Sequence, residues 1–163
     1  SFQNPIIIIY HGNCPGGFGA ALAAHLFFKQ QDDYNQFKNN ITYHKGRHGT
    51  TPPDCRGKEV YIVDFSYKRI DIKQLCQQAI KVTLIDHHIT ALEDLNDLDQ
   101  ECDNLELNLD MTQSGAVLTW KYFHKTAVPQ LLQHIQDNDL WQFKLDNTHT
   151  IISAIMSYPM KLK

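Results

Sequence analysis

V-T-L-I-D-H-H, from Val82 to His88, is a short apolar strand that ends abruptly in one carboxylate and two imidazoles. An oxygen donor, a nitrogen donor and a further proton donor within one turn of backbone fit a hydrolytic metal site. Two other stretches share the design. V-Y-I-V-D-F-S, Val60 to Ser66, also closes an apolar strand on an aspartate, and P-I-I-I-I-Y, Pro5 to Tyr10, runs into His11 and a glycine-rich turn. Three strands ending in polar residues predict one shared carboxyl edge, where open α/β sheets bind ligands.

Working outward, Pro5 to Tyr10 is β-branched and apolar throughout, as a central strand buried on both faces requires. His11 to Gly19, H-G-N-C-P-G-G-F-G, reads as a turn, and the alanine- and leucine-rich Phe18 to Phe28 predicts an apolar helix. Strand, glycine turn and helix together aim N–H groups at an anion; the same spacing also suits a plain turn whose glycines allow close packing. Gln31 to Asn40 reads as polar linker and Ile41 to His44 as a short strand. Lys45 to Lys58 is a loop carrying Lys45, Arg47, His48, Arg56 and Lys58, suited to a solvated connection or to holding a phosphate.

Glu59 to Val63 and Lys81 to Ile85 predict strands, separated by an amphipathic helix over Ile70 to Ala79. A short helix over Ile89 to Leu98, an edge strand over Leu105 to Leu109, and helices over Ser114 to Phe123, Pro129 to Gln136 and Thr148 to Ser157 follow, with Ser114 as an N-cap and a polar stub from Tyr158 to Lys163. This alternation implies an α/β fold: a mostly parallel sheet of about five strands covered by helices on both faces. In D-N-D-L-W, Asp137 and Asp139 close a helix where carboxylates oppose its dipole by up to about 1 kcal/mol each, which a nearby cation would offset.

The 163 residues predict a single domain, and the formal charge of −3 argues against long duplex DNA and for a small, locally gripped anion. Without an apolar run of about 18 residues or a charged leader, the expectation is a soluble, cytoplasmic protein with no membrane contact. Cys14, Cys55, Cys76 and Cys102 lack the spacing of a zinc ribbon or a disulfide scaffold and are expected as free thiols.

Five ordered motifs carry a resemblance: Y-H-G-N-C-P-G-G-F-G-A-A at Tyr10 to Ala21, V-D-F-S at Val63 to Ser66, D-H-H at Asp86 to His88, S-G-A at Ser114 to Ala116 and D-N-D-L-W at Asp137 to Trp141. Together they resemble the DHH phosphoesterase family, which includes RecJ-type nucleases, nanoRNases and family II inorganic pyrophosphatases. The resemblance implies a manganese-type centre of one or two ions, with magnesium as the alternative, that hydrolyses short oligonucleotides or small nucleotide phosphates. It implies His11, Asp64, His87 and Asp137 as metal ligands, with Asp139 as a substitute for Asp137. Asp86 and His88 would be catalytic, Asp86 holding the histidines and His88 meeting phosphate, and Gly17, Ser114 and Gly115 would contact substrate. Relatives place aspartates in the first motif where this chain has Cys14 and Gly16, and they commonly carry a C-terminal substrate-binding domain that the chain is expected to lack. A catalytically impaired relative that binds a nucleotide, a metal or a protein is the alternative reading.

Overall fold

The computed structural model describes residues 2–157 and Leu162. Five strands, β1 (Ile6–His11), β2 (Ile41–Gly46), β3 (Glu59–Val63), β4 (Lys81–Asp86) and β5 (Leu105–Leu109), form one sheet in the order β2-β1-β3-β4-β5. Every pairing is parallel, so every strand delivers its last residue to the same edge. The α/β fold with about five parallel strands is as expected.

The continuous apolar runs follow from burial on both faces. Ile7, Ile9, Val60, Ile62, Val82 and Leu84 point to one side. There they meet α3 (Arg69–Gln78), α4 (Ile89–Leu95) and α5 (Leu98–Glu101) through Ile72, Leu75, Leu95 and Leu98. Ile6, Ile8, Tyr10, Val63 and Ile85 point to the other side, against Ala20, Ala21, Ala24 and Phe28 of α1 (Pro15–Lys29) and Leu118 of α6 (Gly115–Phe123). Behind these two helices, α7 (Gln130–Asp139) and α8 (Thr148–Met156) add an outer layer closed by Ala23, Ala116, Trp120, Leu132, Ile135 and Ile152. Each large aliphatic side chain buried this way contributes roughly 1.5–3 kcal/mol.

Several boundaries differ from the sequence expectation: α1 begins at Pro15, inside the stretch expected as a turn, and β2 runs on to Gly46. The polar linker contains a single helical turn, α2 (Tyr34–Phe37), because Phe37 folds back into an aromatic cluster with Phe2 and Phe28. The helix expected over Ile89 to Leu98 breaks between α4 and α5 at Asp97, whose φ of 67° is left-handed. And α7 runs to Asp139 rather than ending at Gln136. Apart from Leu162, the stub over 158–163 lies outside the described residues. No helix among the described residues is long and apolar enough to cross a membrane.

The strand order positions a site. From β1 the chain crosses to β2 on one side, then returns to β3 on the other, so the ends of β1 and β3 flank the point where the winding reverses. Such a switch point leaves a crevice between diverging loops. His11 closes β1 and Asp64 follows β3 at that crevice.

Candidate metal centre

Asp64 is the anchor of the centre. It leaves the β3 ladder with φ 55°, a left-handed conformation that costs a residue with a side chain roughly 1 kcal/mol or more. Its amide donates to the Ile85 carbonyl at 2.8 Å, which pins the turn against β4. The carboxylate is only 2% exposed, and its Oδ1 has no hydrogen-bond partner in line. A buried carboxylate oxygen without a donor is unfavourable unless a cation faces it.

Around Asp64 the strand ends gather nitrogen, oxygen and sulfur donors. His87 Nε2 lies 3.1 Å from Asp64 Oδ1. Burial works to lower the His87 pKa, but the facing Asp64 carboxylate outweighs it and raises it. Asp86, 1% exposed at the end of β4, accepts through Oδ1 from the His87 amide at 2.9 Å and pairs with His88 Nδ1 at 2.7 Å. That bond pushes the His88 pKa up to about 8 and leaves Nε2 as the ring nitrogen outside the Asp86 pair. His11 is lowered by burial, against the pull of the Asp64 charge, and so favours the neutral form a metal requires. Ligand atoms of Asp64, Asp86, His87 and His88 fall within 4.8 Å of one another, and so do those of His11, Cys14 and Asp64. The two groups share Asp64. Buried carboxylate with imidazole is a donor set that can bind a divalent ion.

The expected Asp137 ligand is corrected to a structural part. Asp137 is 4% exposed, and both its oxygens are occupied: Lys144 N at 2.7 Å on Oδ1, Leu145 N at 3.0 Å and the Thr148 hydroxyl at 2.6 Å on Oδ2. Burial pushes its pKa up, and these donors outweigh that and hold it below the ordinary carboxylate value. Asp137 therefore ties down the segment after α7, where Trp141, Phe143 and Asn147 all have positive φ. Asp139, two residues on and turned to a different helix face, is the carboxylate at the centre. Its Oδ2 is 3.9 Å from His87 Nε2. Burial and the neighbouring Asp64 charge push its pKa up to about 6.

Gly17, Ser114 and Gly115, expected as substrate contacts, are all buried and occupy packing positions. A Cβ on Gly17 would stand 2.0 Å from the His11 carbonyl oxygen, so only glycine lets α1 start this close to β1. Ser114 caps α6, its Oγ accepting from Val117 N at 3.2 Å, and Gly115 lies against Asp64 itself. At Gly17 the first-motif turn packs α1 closely against β1. No side chain caps α1 at Cys14, and Gly16 faces Asp139, where a Cβ would meet its Oδ2 at 2.6 Å.

One residue beside the centre drew notice in the sequence only as part of a basic loop. His48, between β2 and β3, packs its ring 5.2 Å from that of His11 and 5.1 Å from that of Phe65. It lines a cavity of about 270 Å³ together with Ser66, Lys68, His88, Thr90 and Asp94. Asp86 lines it as well, so the cavity reaches the Asp86–His88 pair and has both Lys68 and two carboxylate residues, Asp86 and Asp94, on its walls. All four cysteines are free thiols.

No protein-family model matches the chain. The chain is similar to an uncharacterized protein, R106, of Acanthamoeba polyphaga mimivirus, with 30% identity over 160 residues that span 90% of this chain and 36% of the relative. Its fold is similar to that of an uncharacterized protein from Helicobacter pylori G27, with a TM-score of 0.63 at 13% identity, over 92% of this chain and 50% of the other. The chain therefore spans about a third of the length of one and half of the other.

Proposed function

We propose that this chain is the metal-binding domain of a DHH-type phosphohydrolase that cleaves short oligonucleotides or small nucleotide phosphates with manganese. The observation that carries the reading is Asp64: buried, held in a strained turn, with only the His87 imidazole near its Oδ1 and out of line for a hydrogen bond, and shared by two groups of donors that parallel strands bring to one edge. Strain of this kind persists where surrounding structure enforces it, and it clusters at functional sites.

The residues divide the work. Asp64, His87, Asp139 and His11 would hold the ion, and imidazole donors favour manganese over magnesium among hard cations. When bound, such an ion polarises a phosphoryl oxygen and lowers the pKa of water. Asp86 fixes the His88 ring through Nδ1, and the protonated imidazole lines the same cavity as Lys68 and His48. A cation there can neutralise a phosphate oxygen or give a proton to the leaving oxygen. With a formal charge of −3 on the chain, Lys68 and the protonated His88 are the local cations that would grip an anion.

The test pairs manganese titration calorimetry with hydrolysis of bis(p-nitrophenyl) phosphate and of a short oligoribonucleotide. Manganese-dependent turnover that Asp64→Ala and His87→Ala both abolish supports the proposal. Manganese binding without turnover of either substrate would favour the impaired relative, and turnover indifferent to Asp64→Ala would refute the site.

A further inference from the structure

We propose that Cys14 is a metal ligand, its thiolate joining His11 and Asp64 in a nitrogen, sulfur and oxygen site that takes a thiophilic divalent ion of the zinc or cobalt class. This rests on the reading of the Asp64 cluster as a metal centre, and it makes the two halves of that centre chemically unlike.

The geometry comes first. One ligand atom each from His11, Cys14 and Asp64 lies within 4.8 Å of the others. His11 is the last residue of β1, Cys14 is the N-cap of α1 and Asp64 follows β3, so three separately anchored backbones converge on one point. The Asp64 carboxylate is 2% exposed, so its charge is held in the crevice rather than in solvent. Between His11 and Gly19 the only other side chain with a donor atom is Asn13, which is exposed, and Gly16 offers none. If the turn supplies a second ligand from its interior, it is the sulfur.

The surroundings of the thiol argue against a nucleophilic, redox-sensing or packing role. A nucleophilic or redox-sensing cysteine sits beside a basic side chain that stabilises the thiolate. The imidazole beside Cys14 is that of His11, which burial biases to its neutral form, and the thiol also faces the carboxylates of Asp64 and Asp139, so burial with those charges pushes its pKa up. The residue is not a packing thiol either: Cys55 is wholly buried, whereas Cys14 is partly open at the crevice. One feature does favour an anionic sulfur: the amides of Gly16 and Gly17 in the first turn of the 15-residue α1 point to it. A divalent ion reverses the balance set by the carboxylates, since it neutralises them and binds the thiolate. As the sulfur–metal bond forms, the Cys14 proton leaves to solvent.

Donor softness then separates the halves. Thiolate selects zinc or cobalt over manganese and magnesium, while the Asp64, His87 and Asp139 side keeps oxygen and nitrogen donors that suit manganese. The test is titration of the metal-free chain with cobalt(II), followed by absorption spectroscopy, in the wild type and in Cys14→Ser. A thiolate-to-cobalt charge-transfer band that the serine variant loses, with zinc affinity reduced at least about tenfold and manganese affinity kept, is the expected result. The variant also separates Cys14 from Cys76 and Cys102, because a band from those thiols would survive it. Cadmium NMR of the unsubstituted chain reads sulfur ligation without any variant. Cobalt bound without the band, or zinc affinity unchanged in Cys14→Ser, overturns the thiolate assignment and leaves the centre standing. No binding of cobalt, zinc or manganese at all would remove the centre itself.

Discussion

Replacing Gly115 with alanine sets two physical effects against each other. Gly115 is the first residue of α6, where alanine exceeds glycine in helix propensity by up to about 1 kcal/mol. Propensity alone therefore predicts a more stable protein. A Cβ at this position, however, would stand 2.3 Å from Asp64 Oδ1, 2.6 Å from its Cβ and 2.8 Å from its Cγ. A new rotamer could move Oδ1 away but not the Asp64 Cβ, which the backbone fixes. That backbone is held at φ 55° by its bond to Ile85, so either this turn or the start of α6 must shift. Overpacking of this kind costs about 1–3 kcal/mol, which exceeds the propensity gain and leaves a net loss of up to about 2 kcal/mol. The larger effect falls on the metal: a displaced central carboxylate should weaken manganese binding by about 10- to 100-fold. Urea unfolding of the metal-free protein and manganese calorimetry measure the two separately. An alanine variant that is about 1 kcal/mol more stable, with manganese affinity unchanged, would show that α6 does not press on Asp64.

The two carboxylates of α7 should separate cleanly: Asp139→Ala weakens manganese by at least about tenfold, while Asp137→Ala speeds hydrogen exchange at the Lys144 and Leu145 amides by about tenfold or more. Because a side chain on residue 16 and the Asp139 carboxylate compete for one space, Gly16→Asp combined with Asp139→Ala should recover manganese affinity that Asp139→Ala loses; calorimetry showing no recovery would refute that equivalence. In the hydrolysis assay Asp64→Ala should abolish turnover, whereas His88→Ala should cost about 2–4 kcal/mol of barrier, the worth of one oriented donor; equal, small effects would place the chemistry elsewhere. Asp110 accepts from the Thr112 hydroxyl and amide and from Gln113, which hold its pKa at about 2 against an ordinary 3.8. Its contribution is therefore present above pH 3.8 and lost as pH falls toward 2, and a stability curve over that window should be flatter in Asp110→Asn.

The parts of the centre that strands carry could be read directly. An apolar run buried on both faces and stopped by a polar residue permits few placements, and once the strands are parallel their stops must share an edge. Asp64, Asp86, His87 and His88 follow from that alone. The helix-borne ligand could not be read the same way, because D-N-D offers two carboxylates about 200° apart on a helix and only its packing says which one faces inward. On α7, Leu132, Ile135 and Asp139 form one stripe, and the first two pack on α1, where a Cβ at Gly19 would meet Ile135 Cδ1 at 2.9 Å and Leu132 Cδ2 at 3.3 Å. His134 and Asp137 form the neighbouring stripe and meet Thr148 instead. Continuing the first stripe by one turn brings Asp139 to Gly16, one turn before Gly19 on the facing helix. Read alone, Gly16 is the loss of a carboxylate from the first motif. Read with its helix partner, it is the space into which a carboxylate from α7 enters, so in the proposed centre the change that suggests weakening and the residue that would compensate for it are two sides of one contact.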